Sequence, residues 1–202
     1  MKVPLYARTL FAILLTGLLF AGGAQATLNS HGKGMIYDSE QNITWLANAG
    51  QAGGTLSWSE ANDWATGLNY AGVSGWRLPT AVPTDDYYST ASEMGHLFYG
   101  DGDSGLGGTA DTPITDVHNA NFDLFSNLVA GGYWTGTPYA AVELYAWNFD
   151  FYDGTQLPYD QSVQMGAWAV HAGDVSAVPE PSSIVLIGLG GAALLVLRRR
   201  TT

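Results

Sequence analysis

"TLSWSEANDWATGLNYAGVSGWRLPT", residues 55–80, decides the fold. Ser57 and Glu60 have the spacing of a capping box, in which a hydroxyl and a carboxylate satisfy the first free N–H groups of a helix. Ala61, Trp64, Ala65 and Leu68 then recur at helical intervals. They predict a helix from Trp58 to about Leu68 with one buried stripe. "SGWRLPT" follows as a short extended segment that ends at Pro79.

Towards the N-terminus, residues 34–46 read as a hairpin. "GMIYD" and "NITWL" carry strand-forming residues, and "DSEQN" carries turn residues. Asn42-Ile43-Thr44 has the form of a glycosylation sequon, taken as chance. Towards the C-terminus, Thr90 and Glu93 have capping-box spacing. Met94, Leu97 and Phe98 form an apolar stripe that Gly100 stops, which predicts a second helix over 91–99. Residues 100–117 are a loop dense in Gly and Asp, and a helical turn is expected within 121–128. "GYWTGT", "LYAWNFDFYDG" and "GAWAVHAG" predict a meander of aromatic strands, with a turn at Asp153-Gly154. Helices first and strands after them indicate an α+β domain.

The two ends differ from this body. Lys2 and Arg8, an apolar run from Leu10 to Phe20 and the small residues Ala24-Gln25-Ala26 make a secretory signal peptide over 1–26, cleaved after Ala26. The alternative, a first membrane span, needs roughly 20 apolar residues. The body is then 27–175, and 176–181 is a linker. At the far end, Ile184 to Leu197 is a glycine-interrupted apolar run of 14 residues. As a helix it covers about 21 Å, a marginal span for a hydrocarbon core of about 30 Å. Arg198, Arg199 and Arg200 would hold the cytoplasmic side, so 182–202 reads as a C-terminal transmembrane segment in the inner membrane. "VPEP" (Val178, Pro179, Glu180, Pro181), the apolar helix and the arginine cluster together resemble the PEP-CTERM sorting signal. That resemblance implies an exosortase-type processing enzyme as partner, and delivery to the envelope or matrix of a bacterium that makes extracellular polysaccharide.

With the ends set aside, two basic residues, Lys33 and Arg77, stand against 17 acidic ones. Such a surface repels nucleic acid and anionic glycans. Neutral sugars and divalent cations remain suitable partners. The chain has no cysteine, which excludes thiol chemistry, disulfides and Cys-ligated zinc. Stability must therefore come from a packed core, and all seven tryptophans lie in the body.

The order "YDSEQNITWLANA", "GGTLSWSEANDWATGLN", "GWRLPT", "SEMGHLFYG" and "YWTGTPY" to "AWAVHAGD" is similar to the Lcl C-terminal type of domain. That resemblance covers about Gly34 to Asp174. It implies a C-type-lectin-like fold, with two helices and a twisted antiparallel sheet, related to formylglycine-generating enzymes. The cysteine chemistry of those enzymes does not carry over. The founding Lcl adhesin binds polyanionic glycans, for which a body with two basic residues is ill suited.

Four sets of residues are candidates for function. Arg77, between Trp76 and Leu78, is an anion clamp or a structural partner of Glu93; the structural pair is the expectation. Asp101 and Asp103, with Asp111 and Asp116 further along the loop, offer the oxygen ligands calcium prefers, without EF-hand spacing. Calcium is the one cofactor the loop suggests; the alternative is a solvated loop. The four histidines match no zinc motif, although Glu93 and His96 could share a helical face. Trp134 and Trp147 are expected in the core. Tyr139, Tyr152 and Tyr159, expected in turns or loops, are candidate platforms for a neutral polysaccharide. No nucleophile elbow, P-loop or zincin motif occurs. A non-catalytic, exported glycan-binding or partner-binding protein is the leading expectation. A secreted enzyme acting on a glycan or cell-wall component, and a structural matrix protein, are the alternatives.

Overall fold

The computed structural model describes residues 28–84, 86–100 and 104–175. The signal peptide with Ala24 and Ala26, the residues Asp101 and Asp103, and the tail with Val178 to Pro181 and Arg198 to Arg200 lie outside them. No helix among the described residues is long and apolar enough to cross a membrane.

The expected hairpin forms between β2 (Met35–Asp38) and β3 (Ile43–Leu46), in the register Met35↔Leu46 to Asp38↔Ile43. Asp38 closes its turn from a buried position. One carboxylate oxygen accepts from the Glu40 and Gln41 N–H groups, both at 3.0 Å, and the other from the Gln41 side chain at 2.8 Å. A strand not anticipated from sequence, β1 (Leu28–Ser30), pairs with β2. Three residues carry too short a pattern to announce a strand.

Helix α1 (Trp58–Gly67) begins as predicted: a Glu60 carboxylate oxygen accepts from the Ser57 N–H at 2.9 Å and the Ser57 hydroxyl at 2.6 Å. Ala61 and Ala65 are fully buried. Trp58 donates its indole N–H to the Thr135 carbonyl at 2.8 Å, which docks the helix on β4 (Gly132–Pro138). Helix α2 (Glu93–Tyr99) is shorter than expected, and its cap is corrected. Ser92, not Thr90, accepts from the Gly95 N–H at 3.1 Å. Glu93 is not available for a box because Arg77 holds it. The turn predicted over 121–128 is a 3-10 turn at Ala120–Leu124, capped by Asn119.

The predicted meander is split between two antiparallel sheets, which corrects the single-sheet expectation. β4, β5 (Tyr145–Asp150) and β6 (Gln156–Asp160) form one sheet. The last strand, β7 (Val170–Ala172), leaves it and pairs with β3, completing the order β1-β2-β3-β7. The segment before β7 stitches the sheets together. Met165 bridges to Leu56, Gly166 to Tyr133, and Val170 to Arg77. Ala167, Trp168, Ala169 and Val170 are all buried, so this run is apolar throughout instead of alternating.

The core sits where the sheets meet, as a chain of rings. Trp45 of β3 lies 4.8 Å from Trp168, Trp168 lies 5.9 Å from Phe151, Phe151 5.0 Å from Phe149, and Phe149 5.5 Å from Phe98 of α2. Trp134 and Trp147 are buried, as expected.

Candidate functional site

Strand β5 builds the site through its two-residue period. Ala146, Asn148 and Asp150 project to one face of the sheet, and Tyr145, Trp147 and Phe149 to the other. The register places Tyr159 of β6 opposite Ala146, and Gly132 of β4 opposite Asp150. Tyr159, Asn148, Asp150 and Gly132 therefore share a face. Beyond β6 the chain runs to the β4 edge, where the Gly166 N–H donates to the Gly132 carbonyl at 2.9 Å. The result is a cleft of about 580 Å³, lined by this face, by residues 163–167 and by parts of two loops near Gly50 and Gly131. That volume suits a small ligand or a few sugar rings.

Five glycines line the cleft, so much of its wall is bare backbone. At Gly132 an added Cβ would come within 3.2 Å of the Met165 sulfur and 3.5 Å of Asn148 Oδ1. Asn148 is buried and donates its amide to the Leu157 carbonyl at 2.7 Å, which leaves Oδ1 on the cleft side. Asp150 accepts from the Tyr152 N–H at 2.8 Å. Partial burial pushes its carboxyl above the usual aspartate range, the Tyr152 N–H opposes this, and nearby Asp153 adds to it. Asp150 is the one charged side chain on the lining.

A carboxyl whose folded pKa is raised favours the fold when protonated and opposes it once ionised. Asp150→Asn, whose side-chain oxygen can still accept from Tyr152, is therefore expected to raise the neutral-pH melting temperature by about 1–2 °C. The gain should shrink as pH falls through the raised range of the folded carboxyl and vanish below the ordinary aspartate range. Thermal melts across pH check this, and a gain independent of pH would contradict it.

The structure separates the residues singled out from sequence. Tyr159 lies on a strand, not in the turn or loop expected for it, and lines the cleft as a residue 44% exposed. Tyr139 packs edge-on against Trp147 at 5.3 Å, on the opposite face of the sheet. Tyr152 is exposed in the turn after β5 and does not line the cleft. The three tyrosines form no common platform. Arg77 and Glu93 meet in a two-pronged ion pair at 2.8 and 2.6 Å, as expected of a structural partner. That contact takes Glu93 from His96, whose ring lies 3.3 Å from the Glu40 carboxylate. Asp111 accepts from the Tyr88 hydroxyl at 2.8 Å. Among the described residues no three acidic, histidine or cysteine side chains group around a metal-sized space.

Asn148 and Asp150 were missed at the sequence level. The signal was present as two polar residues two apart in "AWNFDF", but period two cannot say which face is open.

Residues 34–171 match the Lcl C-terminal domain. The chain belongs to that family. The match takes in α1, the Arg77 segment, α2 and the cleft strands of the Lcl C-terminal domain, and stops within β7. Residues 177–200 match the PEP-CTERM protein-sorting motif. The Lcl C-terminal domain is thus carried by an exported protein that an exosortase processes. No curated protein and no solved structure matches the chain.

Proposed function

We propose that this exported protein is a non-catalytic surface or matrix component. Its cleft binds extracellular polysaccharide that bears no anionic groups, neutral sugars included. The observation that carries this reading is the composition of the cleft: an exposed tyrosine ring, a buried asparagine, one carboxylate and bare glycine backbone, with no cation on the lining. Sugar rings present an apolar face to an aromatic ring and hydroxyls to polar acceptors. Hydrolysis by paired carboxylates needs two of them about 5–10 Å apart, and the lining offers Asp150 alone. The mix of helices and antiparallel sheets is compatible with a C-type-lectin-like fold, in which ligand binding without catalysis is common. Delivery by the sorting motif suits a protein that acts outside the cell.

The test is binding of the full chain, purified in mild detergent, to a panel of neutral and charged oligosaccharides by calorimetry. Tyr159→Ala is expected to weaken binding about tenfold, because its ring is the exposed aromatic surface on the cleft lining, Tyr133 being buried. Tyr159 is not part of the packed core, so stability should change by no more than about 0.5 kcal/mol. Binding by no member of the panel, or binding only to sulfated or uronate sugars, would remove this reading.

A further inference from the structure

We propose that the polysaccharide taken by this cleft carries free amino groups, with a sugar ammonium placed between Asp150 and Asn148 while a ring lies against Tyr159. This deepens the glycan-binding reading above and rests on it.

The argument starts from donors and acceptors. Asp150 spends one carboxylate oxygen on the Tyr152 N–H, and the other has no hydrogen-bond partner among the described residues. Asn148 is 3% exposed and spends its amide nitrogen on Leu157. Its Oδ1 likewise has no partner among the described residues, and lies on the cleft beside Gly132. Two acceptors thus stand two residues apart on one strand face, about 7 Å along the strand. Both acceptors open onto the cleft, so a bound group can reach them without displacing a protein partner. The group that answers both is rich in donors and accepts nothing.

An ammonium has three donors and no acceptor, whereas an acetamido group has one N–H and a hydroxyl one O–H. Charge selects in the same direction. The lining holds one charge, the Asp150 carboxylate, and no cation to balance it. Burial disfavours the ionised carboxylate, and an ammonium within the cleft would offset that cost. Beyond the cleft, 17 acidic residues against two basic ones give the body a field that draws polycations in and turns uronates away.

The experiment compares glucosamine tetramers with their N-acetylated counterparts on the full chain in mild detergent, at about pH 6, about two units above the ordinary aspartate pKa. The amine form should bind about tenfold more tightly, and Asp150→Asn should erase the difference while Tyr159→Ala weakens both. Equal binding of the two tetramers would overturn the amine preference and leave the glycan reading standing. Binding of neither would overturn the amine proposal, and the glycan reading would then be decided by the wider oligosaccharide panel. A preference that survives in Asp150→Asn would trace to the general acidic surface and overturn the assignment to this cleft. Thermal melts of both variants confirm that each is folded.

Discussion

Replacing Trp168 with alanine is expected to cost about 3–5 kcal/mol. Trp168 is completely buried. Its ring touches Trp45, Phe125, Tyr133 and Phe151, which come from β3, the 3-10 turn region, β4 and the end of β5. Its indole N–H donates to the Leu46 carbonyl at 2.7 Å, across 122 residues of sequence. One side chain therefore ties the two sheets by packing and by a buried hydrogen bond. Alanine leaves a large void that rings from several elements cannot all close, because each is fixed by its own strand. For a domain of this size the melting temperature should fall by about 10 °C or more. Trp168→Phe keeps much of the packing and loses the hydrogen bond, so it should cost about 1–2 kcal/mol. A fall of less than about 3 °C for the alanine variant would mean that the sheets do not depend on this ring.

Arg77→Ala is expected to cost about 2–3 kcal/mol, below the figure for a fully buried pair because the Arg77 side chain is one-third exposed. The guanidinium meets both Glu93 oxygens and also donates to the Leu78 carbonyl at 3.0 Å. Contact with Glu93 holds Arg77 more firmly protonated than usual, with burial acting against it. Glu93 in turn accepts from the Thr80 N–H at 2.7 Å, so the pair ties the arm after α1 to the first residue of α2. Removing the arginine strands a carboxylate whose side chain is only 15% exposed. Arg77→Lys keeps the charge but not the two-pronged geometry, and should recover about half of the loss. A double-mutant cycle with Glu93→Gln reads the coupling directly. A value under about 0.5 kcal/mol would show the pair to be incidental.

These two residues mark how far local pattern reaches. Arg77 was placed by its neighbours: between Trp76 and Leu78, both buried, its stem had to run along the core edge, and the acidic partner one helix away was the nearest candidate. The hairpin at 34–46, α1 with its cap and the apolar stripe of α2 were equally local, since each depends on residues within a few positions of one another. Ser92 displaced Thr90 as cap because Glu93 was engaged from outside the helix, which no local spacing records. Trp168 looked like one more strand residue in "AWAVHA", and nothing nearby told which sheet it would join.

The sequence by itself determined the α+β class, the packed aromatic core without disulfides, the C-terminal sorting motif and the acidic body, because these depend on composition and short-range order. Tertiary structure alone decided the cleft. It required β7 to leave its neighbours for β3, and the chain after β6 to run to the β4 edge. Only then did one face of "AWNFDF" open onto the cleft while the other closed on the core. Long-range pairing is chosen by which surfaces bury best together, and that choice is made among all segments at once. It brought Tyr159 to Asn148 and Asp150, and parted it from Tyr139 and Tyr152.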